Sequence, residues 1–304
     1  MQHLLDIASL GKTQLQALLD LAAEVARQPR GYADRLRGRF LVNLFMEPST
    51  RTRMSFETAA KRLGMQVVNF HADASSAVKG ETLKDTFQTL QAMQPDAIAV
   101  RHSRDGAVAS LAASATTHVI NAGDGCAQHP TQALLDAVTL QQVFGAVAGL
   151  SLAIVGDIRH SRVARSDVEL FTRLGMTDIR LAGPPAMLPV DAGGLRCCGS
   201  VDEAVAGANV VMMLRIQRER LGESEQPDGE RWFGDWGLTA ERLARAAPDC
   251  VIMHPGPVNR GVEIESELVD GSQSLITRQV ANGVYTRMAV LLCLLDGEAT
   301  AVSG

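Results

Sequence analysis

The sequence predicts an α/β protein of two domains, each a mostly parallel sheet flanked by helices. Three observations lead to this prediction. Short apolar runs of strand length alternate with helix-like segments along most of the chain. The alternation pauses at 144–149, which is rich in Gly and Ala, and restarts at Leu150. With 304 residues, the chain is long enough for two domains of ordinary size.

Residues 1–146 are predicted to form the first domain. It opens with a helix at 12–27, and a strand at 39–45 leads into a helix that Gly64 closes. The strands are short apolar runs such as DAIAV at 96–100, as expected where helices cover both faces of a sheet. The further predicted elements are helix 52–63, strand 66–70, helix 82–93, strand 96–101, helix 106–115, strand 118–121 and helix 130–143.

Residues 147–304 are predicted to form the second domain by the same alternation. The final helix, at 273–296, is expected to pack back on the first domain. The other predicted elements are strand 150–157, helix 162–174, strand 178–182, helix 201–206, strand 209–214, helix 239–246 and strand 250–254.

Composition excludes several classes of protein. A hydrophobic content of 46% and a charged content of 21% are typical of a globular protein, and the net charge of −5 argues against nucleic-acid binding. Apolar runs are too short for a membrane span. The five cysteines show no CxxC pair and no metal-ligand spacing, so we expect a reducing cytoplasm and neither metal nor cofactor.

The segment Pro48-Ser49-Thr50-Arg51-Thr52-Arg53 is the most informative in the chain. It joins a predicted strand to a predicted helix, where backbone N–H groups at the helix start lack intrahelical partners. Hydroxyls of Ser49, Thr50 and Thr52 and the guanidinium of Arg51 would complete a phosphate cradle. The alternative is an ordinary helix cap, but a cap uses a single hydroxyl.

Other donors also fall at the predicted carboxyl ends of strands, where α/β sheets bind their ligands. Arg101 ends a strand, and His129 and Gln132 open a helix after another. A His at a helix start tends to stay neutral, so it could donate one hydrogen bond to a carbonyl oxygen. A solvated Arg, a capping His and a surface Gln remain the alternatives.

The second domain repeats this arrangement. Arg162, Arg215 and the run Pro255-Gly256-Pro257 each follow a predicted strand, so we expect one site in the cleft between the domains. The loop holding Ser75 and Lys79 is a candidate lid or intersubunit contact, and otherwise a solvated loop.

Several kinds of chemistry find no support in the sequence. No Ser-His-Asp order, HExxH motif or useful carboxylate pair is evident, and Gly156-Asp157 lacks the further glycines of a dinucleotide turn. The candidate site consists of hydrogen-bond donors. Such a site binds anions and stabilises negative charge that develops during a reaction.

Four runs resemble the catalytic chains of the aspartate carbamoyltransferase family, in that family's order. They are Ser49-Thr50-Arg51-Thr52-Arg53, Lys79-Gly80-Glu81-Thr82, His129-Pro130-Thr131-Gln132 and the run from His254 to Gly261. Related ornithine enzymes are expected to carry His-Cys-Leu-Pro where this chain has His-Pro-Gly-Pro, which favours aspartate.

The resemblance implies that the chain transfers a carbamoyl group from carbamoyl phosphate to L-aspartate in pyrimidine synthesis. It implies that Ser49, Thr50, Arg51 and Thr52 hold the phosphate, and that Thr52, Arg101 and His129 polarise the carbonyl group. It further implies that Gln132 and the carbonyl of Pro255, in the run Pro255-Gly256-Pro257, orient the carbamoyl nitrogen. Arg162, Arg215 and Gln217 are implied to bind the aspartate carboxylates.

The resemblance also implies a homotrimer in which Ser75 and Lys79 reach a neighbouring subunit's site. Regulatory or dihydroorotase chains could enlarge that assembly. Gly256 stands where the enteric enzyme is expected to have Leu, which weakens any transfer of enteric regulation. Two alternatives stay open: an inactive homologue that acts as a scaffold, and a carbamoyltransferase for another amino acid such as ornithine.

Overall fold

A computed structural model describes residues 1–71, 81–216 and 229–296 of the chain. Ser75, Lys79 and Gln217 lie outside the described residues. The chain divides into two compact units. The first comprises Met1–Val138 and the C-terminal residues from Val280, and the second comprises Thr139–Gln279.

The first unit contains a four-stranded sheet in which every pair of neighbouring strands is parallel, in the order β2-β1-β3-β4. Its helices and strands, in chain order, are α1 Lys12–Arg27, β1 Phe40–Phe45, α2 Thr50–Arg62, β2 Gln66–His71, α3 Leu83–Ala92, β3 Ala97–His102, α4 Ala107–Ala112, β4 His118–Asp124 and α5 Pro130–Phe144, whose last residues belong to the second unit. A short 3-10 helix covers Pro29–Tyr32.

Aliphatic residues of β1, β3 and β4 form the core beneath this sheet, with α3 and α4 packed against them. Val42, Ile98 and Val119 are at most 2% exposed. One polar line crosses the buried strands: Asn43 of β1 donates to Asn69 of β2, which donates to Glu57 of α2. These hydrogen bonds satisfy the Asn43 amide nitrogen and both the oxygen and the nitrogen of the Asn69 amide.

The second unit contains a five-stranded sheet, also parallel throughout, in the order β7-β6-β5-β8-β9. Its elements are β5 Ser151–Val155, α6 Arg162–Arg173, β6 Asp178–Ala182, β7 Arg196–Cys198, α7 Val201–Val205, β8 Val210–Met213, α8 Gly229–Trp236, α9 Ala240–Leu243, β9 Val251–Met253 and α10 Ser266–Val269. A 3-10 helix covers Pro185–Met187. Strands β5, β8 and β9 supply much of the core, together with α7.

The last helix, α11 (Ile276–Leu295), begins in the second unit and continues into the first. Within the first unit, its Arg287 is 2% exposed and donates hydrogen bonds to Ser55 of α2 and to Thr131 of α5. The prediction of two parallel-sheet domains with a C-terminal helix is confirmed. None of the described helices is long and apolar enough to cross a membrane.

Differences from the predicted elements have local causes. Strand β7 was missed because its three residues, Arg-Cys-Cys, carry no apolar run. Helix α8 was missed because its sequence, GERWFGDW, is rich in Gly and charge. Helix α2 begins at Thr50 rather than at residue 52, so the predicted phosphate residues form its first turn.

Candidate functional site

The first turn of α2 places backbone N–H groups that lie outside the intrahelical hydrogen-bond ladder beside hydroxyl groups. Ser49 is the N-cap residue, and the first intrahelical bond runs from the Arg53 N–H to the Ser49 carbonyl. The N–H groups of Ser49, Thr50, Arg51 and Thr52 therefore precede the helix's own hydrogen-bond ladder. The Ser49 side chain caps none of them, unlike Thr82 at α3 and Ser161 at α6. An ordinary cap therefore does not account for this run, and the geometry suits an anion.

Arg101 lies near the carboxyl end of β3, directly opposite Phe45 of β1. Its Nε atom is 2.7 Å from Oε1 of Glu47, and its Nη1 donates to the Ala122 carbonyl at 3.1 Å. The Arg101 side chain is only 13% exposed. These two contacts fix the plane of the guanidinium and bring it to the same sheet edge as α2.

His129 and Gln132 lie at the start of α5, after β4. The His129 carbonyl accepts the N–H groups of Gln132 and Ala133, so His129 acts as the N-cap and Pro130 is the first helical residue. Both side chains are buried, at 3% and 8% exposure. The Gln132 amide nitrogen donates to both carboxylate oxygens of Asp136, at 3.2 and 3.1 Å.

The sheet brings these three segments to one edge of the first unit. Strands β1, β3 and β4 are neighbours, and all are parallel, so their carboxyl ends coincide. The buried guanidinium of Arg287 also links the two helices, with Ser55 of α2 at 3.0 Å and Thr131 of α5 at 3.2 Å. Gly283 makes room for it, since a Cβ there would lie 2.7 Å from Arg287 Nη1.

In the second unit, Arg162 is the first residue of α6 and follows β5. It is 6% exposed, and the preceding Ser161 caps the helix by accepting the Ala164 N–H. Gly156, at the end of β5, has a φ of +127°, and a Cβ there would lie 2.9 Å from the Leu214 carbonyl oxygen. The close approach of these two backbones therefore requires glycine, and it holds the segment just before Arg215 against β5.

Arg215 follows β8, and a buried carboxylate fixes the loop that carries it. Glu263 accepts the N–H of Ile216 at 3.2 Å, and it accepts the backbone and side-chain amides of Asn259 at 2.9 and 2.7 Å. Burial raises the pKa of Glu263, against the lowering effect of its hydrogen bonds. Glu263 thus ties the loop after β8 to the loop after β9.

The run Pro255-Gly256-Pro257 follows β9, and the Gly256–Pro257 peptide bond is cis. Two hydrogen bonds shape this turn: Gln279 accepts the His254 N–H at 2.9 Å, and His254 Nδ1 accepts the Gly256 N–H at 2.8 Å. Since β5, β8 and β9 are adjacent and parallel, Arg162, Arg215 and Pro255 follow the same edge of the second sheet.

Hydrogen-bond donors dominate both sheet edges. Arg162 is buried and Arg101 and Arg215 are half-buried, whereas Arg51 is exposed. Guanidinium groups at these positions suit anionic ligands. Over the described ranges, no group of three or more His, Cys, Asp or Glu side chains is arranged to hold a metal ion. The roles predicted for Ser75, Lys79 and Gln217 fall outside the described residues.

Sequence reasoning missed the residues that hold the predicted site residues in place: Glu47, Asp136, Glu263 and Arg287. Only two carried a signal. Asp136 follows Gln132 by four residues on one helix, which places both on one face. Glu47 immediately precedes the phosphate run. The partners of Glu263 and Arg287 include residues more than 40 positions away, so no local pattern could indicate them.

Comparison with known proteins identifies both halves of the chain. Residues 2–142 match the family "Aspartate/ornithine carbamoyltransferase, carbamoyl-P binding domain". Residues 148–294 match the family's "Asp/Orn binding domain". The aspartate carbamoyltransferase catalytic subunits of Sorangium cellulosum and Thermobifida fusca are each 50% identical to this chain. The alignments cover 99% and 98% of this chain, and 95% and 96% of theirs.

Solved structures agree with this relationship. Aspartate transcarbamoylase from Trypanosoma cruzi in complex with carbamoyl phosphate is 31% identical, with a TM-score of 0.88 over 97% of this chain and 96% of the other. Ornithine carbamoyltransferase from Thermus thermophilus is 32% identical, with a TM-score of 0.86 over 97% and 99%. The fold therefore accommodates either amino acid, while the relatives at 50% identity are aspartate enzymes. The chain belongs to the aspartate/ornithine carbamoyltransferase family.

Proposed function

We propose that this protein transfers the carbamoyl group of carbamoyl phosphate to the amino group of L-aspartate, giving N-carbamoyl-L-aspartate and phosphate. The observation that carries the proposal is the first turn of α2. Its N-cap hydroxyl is not used for capping, and it lies at the same sheet edge as Arg101 and His129. The names of the 50% identical relatives support aspartate as acceptor, and with it a step of pyrimidine synthesis.

The phosphate group binds at the start of α2 in this proposal. The N–H groups of the first turn, the hydroxyls of Ser49, Thr50 and Thr52, and the Arg51 guanidinium all donate to its oxygens. The helix dipole favours the same negative charge. Hydrogen bonding does not protonate the phosphate, so the dianion can later act as a proton acceptor.

The carbonyl oxygen of the carbamoyl group lies toward Arg101, His129 and Thr52. Negative charge builds on this oxygen when the amine adds to the carbonyl carbon. Donors already fixed in place stabilise that charge without reorganising during the reaction. The Glu47 and Ala122 contacts supply this fixing for Arg101.

The carbamoyl nitrogen is oriented by Gln132, whose side-chain oxygen accepts one of its N–H groups. The Pro255 carbonyl is the second predicted acceptor, in the Pro255-Gly256-Pro257 turn. The aspartate carboxylates are bound by Arg162 and Arg215, whose guanidinium groups match carboxylate geometry. Gln217 completes that predicted set.

The reaction then needs no protein base. The aspartate nitrogen forms a bond to the carbamoyl carbon, and the bond from that carbon to the phosphate oxygen breaks. The departing phosphate takes the proton released by the amine. The protein contributes orientation and stabilisation of charge, which together account for large rate enhancements.

The proposed assembly is a homotrimer in the cytoplasm. Ser75 and Lys79 would each complete a neighbouring subunit's site, so that an isolated chain would lack part of its own site. The relatives' name, catalytic subunit, supports an assembly in which other chains can take part. Regulatory or dihydroorotase chains remain candidates for that role.

A product assay tests the proposal. The purified protein is given carbamoyl phosphate with either L-aspartate or L-ornithine, and the ureido product is measured colorimetrically. We expect product with aspartate and, at equal concentration, none above background with ornithine. Product with ornithine alone would identify the other branch of the family. No product with either amino acid, from a folded protein, would support the scaffold alternative.

A further inference from the structure

The Asp136 carboxylate lies within hydrogen-bond distance of a predicted substrate-binding residue. Asp136 is 0% exposed, and both of its oxygens accept from the Gln132 amide nitrogen, at 3.2 and 3.1 Å. The two residues are one helical turn apart on α5, so the helix itself holds them in register. A buried carboxylate in this position restricts the orientation of the Gln132 side-chain amide.

The orientation of this amide decides whether its oxygen or its nitrogen faces the substrate. A glutamine amide has one accepting oxygen and one donating nitrogen, and an ionised carboxylate can only accept. Asp136 therefore selects the rotamer in which the Gln132 nitrogen faces it and the oxygen faces away. The opposite rotamer would place the amide oxygen against two carboxylate oxygens, all three unable to donate.

Asp136 must stay ionised for this selection, and Arg287 favours the ionised form. Arg287 is also buried, at 2% exposure, and hydrogen bonds to Ser55, Gly283 and Thr131 hold it beside α5. Burial lowers the pKa of Arg287 to about 10, whereas the charge of Asp136 acts to raise it. The two opposite charges thus stabilise each other inside the first unit.

We infer that Asp136 is a positioning residue that makes Gln132 an obligatory hydrogen-bond acceptor and thereby selects ligands with an N–H donor on the carbonyl carbon. This inference rests on the proposed function. It predicts that the protein discriminates between carbamoyl phosphate and acetyl phosphate, in which a methyl group replaces the NH2. A methyl group cannot donate to the Gln132 oxygen, whereas the phosphate and carbonyl groups of the two ligands are alike.

The test compares the affinities of three ligands by isothermal titration calorimetry: carbamoyl phosphate, acetyl phosphate and inorganic phosphate. Asp136→Leu keeps the approximate shape of the side chain and removes both acceptors. We expect the affinity for carbamoyl phosphate to fall about tenfold, the value of one hydrogen bond. The affinities for acetyl phosphate and inorganic phosphate should stay within about twofold. Gln132→Leu should give the same pattern.

Two further variants complete the test, one against misfolding and one as a control for the loss of a carboxylate elsewhere. Asp136→Leu combined with Arg287→Met removes both buried charges at once, which leaves no uncompensated ion if the single variant does not fold. Asp96→Leu is the matched control: it removes a carboxylate that accepts the Phe40 N–H at 2.7 Å, at the amino end of the same sheet. This control should leave the ratio of carbamoyl phosphate affinity to acetyl phosphate affinity unchanged.

The outcomes separate this inference from the proposed function. Equal losses for all three ligands in the Asp136 variants, or an unchanged preference for carbamoyl phosphate, would overturn the positioning role while wild-type carbamoyl transfer stood. A wild-type protein that neither binds carbamoyl phosphate nor forms ureido product would overturn the proposed function, and the positioning role with it.

Discussion

Arg101 shows how a single side chain is prepared for charge stabilisation. Its guanidinium is held by Glu47 on one side and by the Ala122 carbonyl on another, and its side chain is only 13% exposed. In such surroundings a fixed cation acts on developing negative charge more strongly than it would in water. Under the proposed mechanism, the cost of removing it should therefore appear in the rate constant.

Replacement of Arg101 by Gln should lower kcat by about a hundredfold, which corresponds to about 3 kcal/mol of lost transition-state stabilisation. Steady-state kinetics with saturating carbamoyl phosphate measures this. Arg39→Gln is the matched control, because Arg39 pairs with Asp96 at the amino end of the strands, and its kcat should not change. Equal kcat values for the two variants would remove Arg101 from the oxyanion site.

The sequence pointed to candidate substrate-binding residues, but it gave little indication of the residues that hold them in place. Ser49, Arg101 and His129 stood out because each lies at or shortly after the predicted carboxyl end of an apolar strand, and the structure places them at one sheet edge. Glu263 and Arg287 gave no such signal, because the contacts that connect separate segments have partners far away in the sequence. Hydrogen bonds across 47 and 232 positions depend on the completed fold.

The loops after β8 and β9 are connected by Glu263, which accepts hydrogen bonds from both of them. Glu263→Ala should raise the KM for aspartate about tenfold, because Ile216 then loses the hydrogen bond that positions the neighbouring Arg215. Carbamoyl phosphate binding should not change. Glu265→Ala, which removes an acceptor of the Ala240 N–H, is the matched control. An unchanged KM for aspartate in Glu263→Ala would argue against this tether.

The α2–β2 connection should make the fold sensitive to acid. Hydrogen bonds from Lys61 and Asn69 hold the pKa of Glu57 below 4.5, so the folded state favours the carboxylate. Its stabilising contribution is therefore complete above about pH 4.5 and is lost as the pH falls through the lower folded-state pKa.

Glu57→Gln should lower the melting temperature at pH 7 by about 2–4 °C, equivalent to about 1 kcal/mol, and the difference should shrink below pH 4. Calorimetric scans of both proteins at several pH values measure this. Asp20→Asn, on the exposed face of α1, is the matched control, and its melting temperature at pH 7 should equal that of wild type. A difference between Glu57→Gln and wild type that persists below pH 4 would contradict the assignment.

The two-sheet architecture was predictable from periodicity because the buried parallel strands are nearly continuous apolar runs. The short elements were not: β7 has three residues, and α8 lacks a helical composition. Their formation depends on pairing with β6 and on packing of the finished unit, respectively. Sequence patterns therefore predicted the elements with extensive buried surface and missed those that tertiary contacts stabilise.

The loop that carries Lys79 is predicted to act between subunits of the assembled oligomer. If Lys79 enters a neighbouring site, mixed oligomers of Lys79→Ala and Arg51→Ala chains will contain some sites with both residues intact. We expect activity to recover to a measurable fraction of wild type after the two inactive proteins are dissociated and reassociated together. Reassociation of each variant alone is the control. Mixed oligomers that stay inactive would contradict a shared site.

The proposed function requires that the start of α2, together with Arg101 and His129, holds carbamoyl phosphate. A crystal structure of the protein with carbamoyl phosphate is the decisive experiment. We predict phosphate oxygens within hydrogen-bond distance of the backbone N–H groups of residues 50–52 and of the Arg51 guanidinium. The carbamoyl oxygen should contact Arg101 and His129. Phosphate bound at another place, with the first turn of α2 contacting no ligand, would contradict the account.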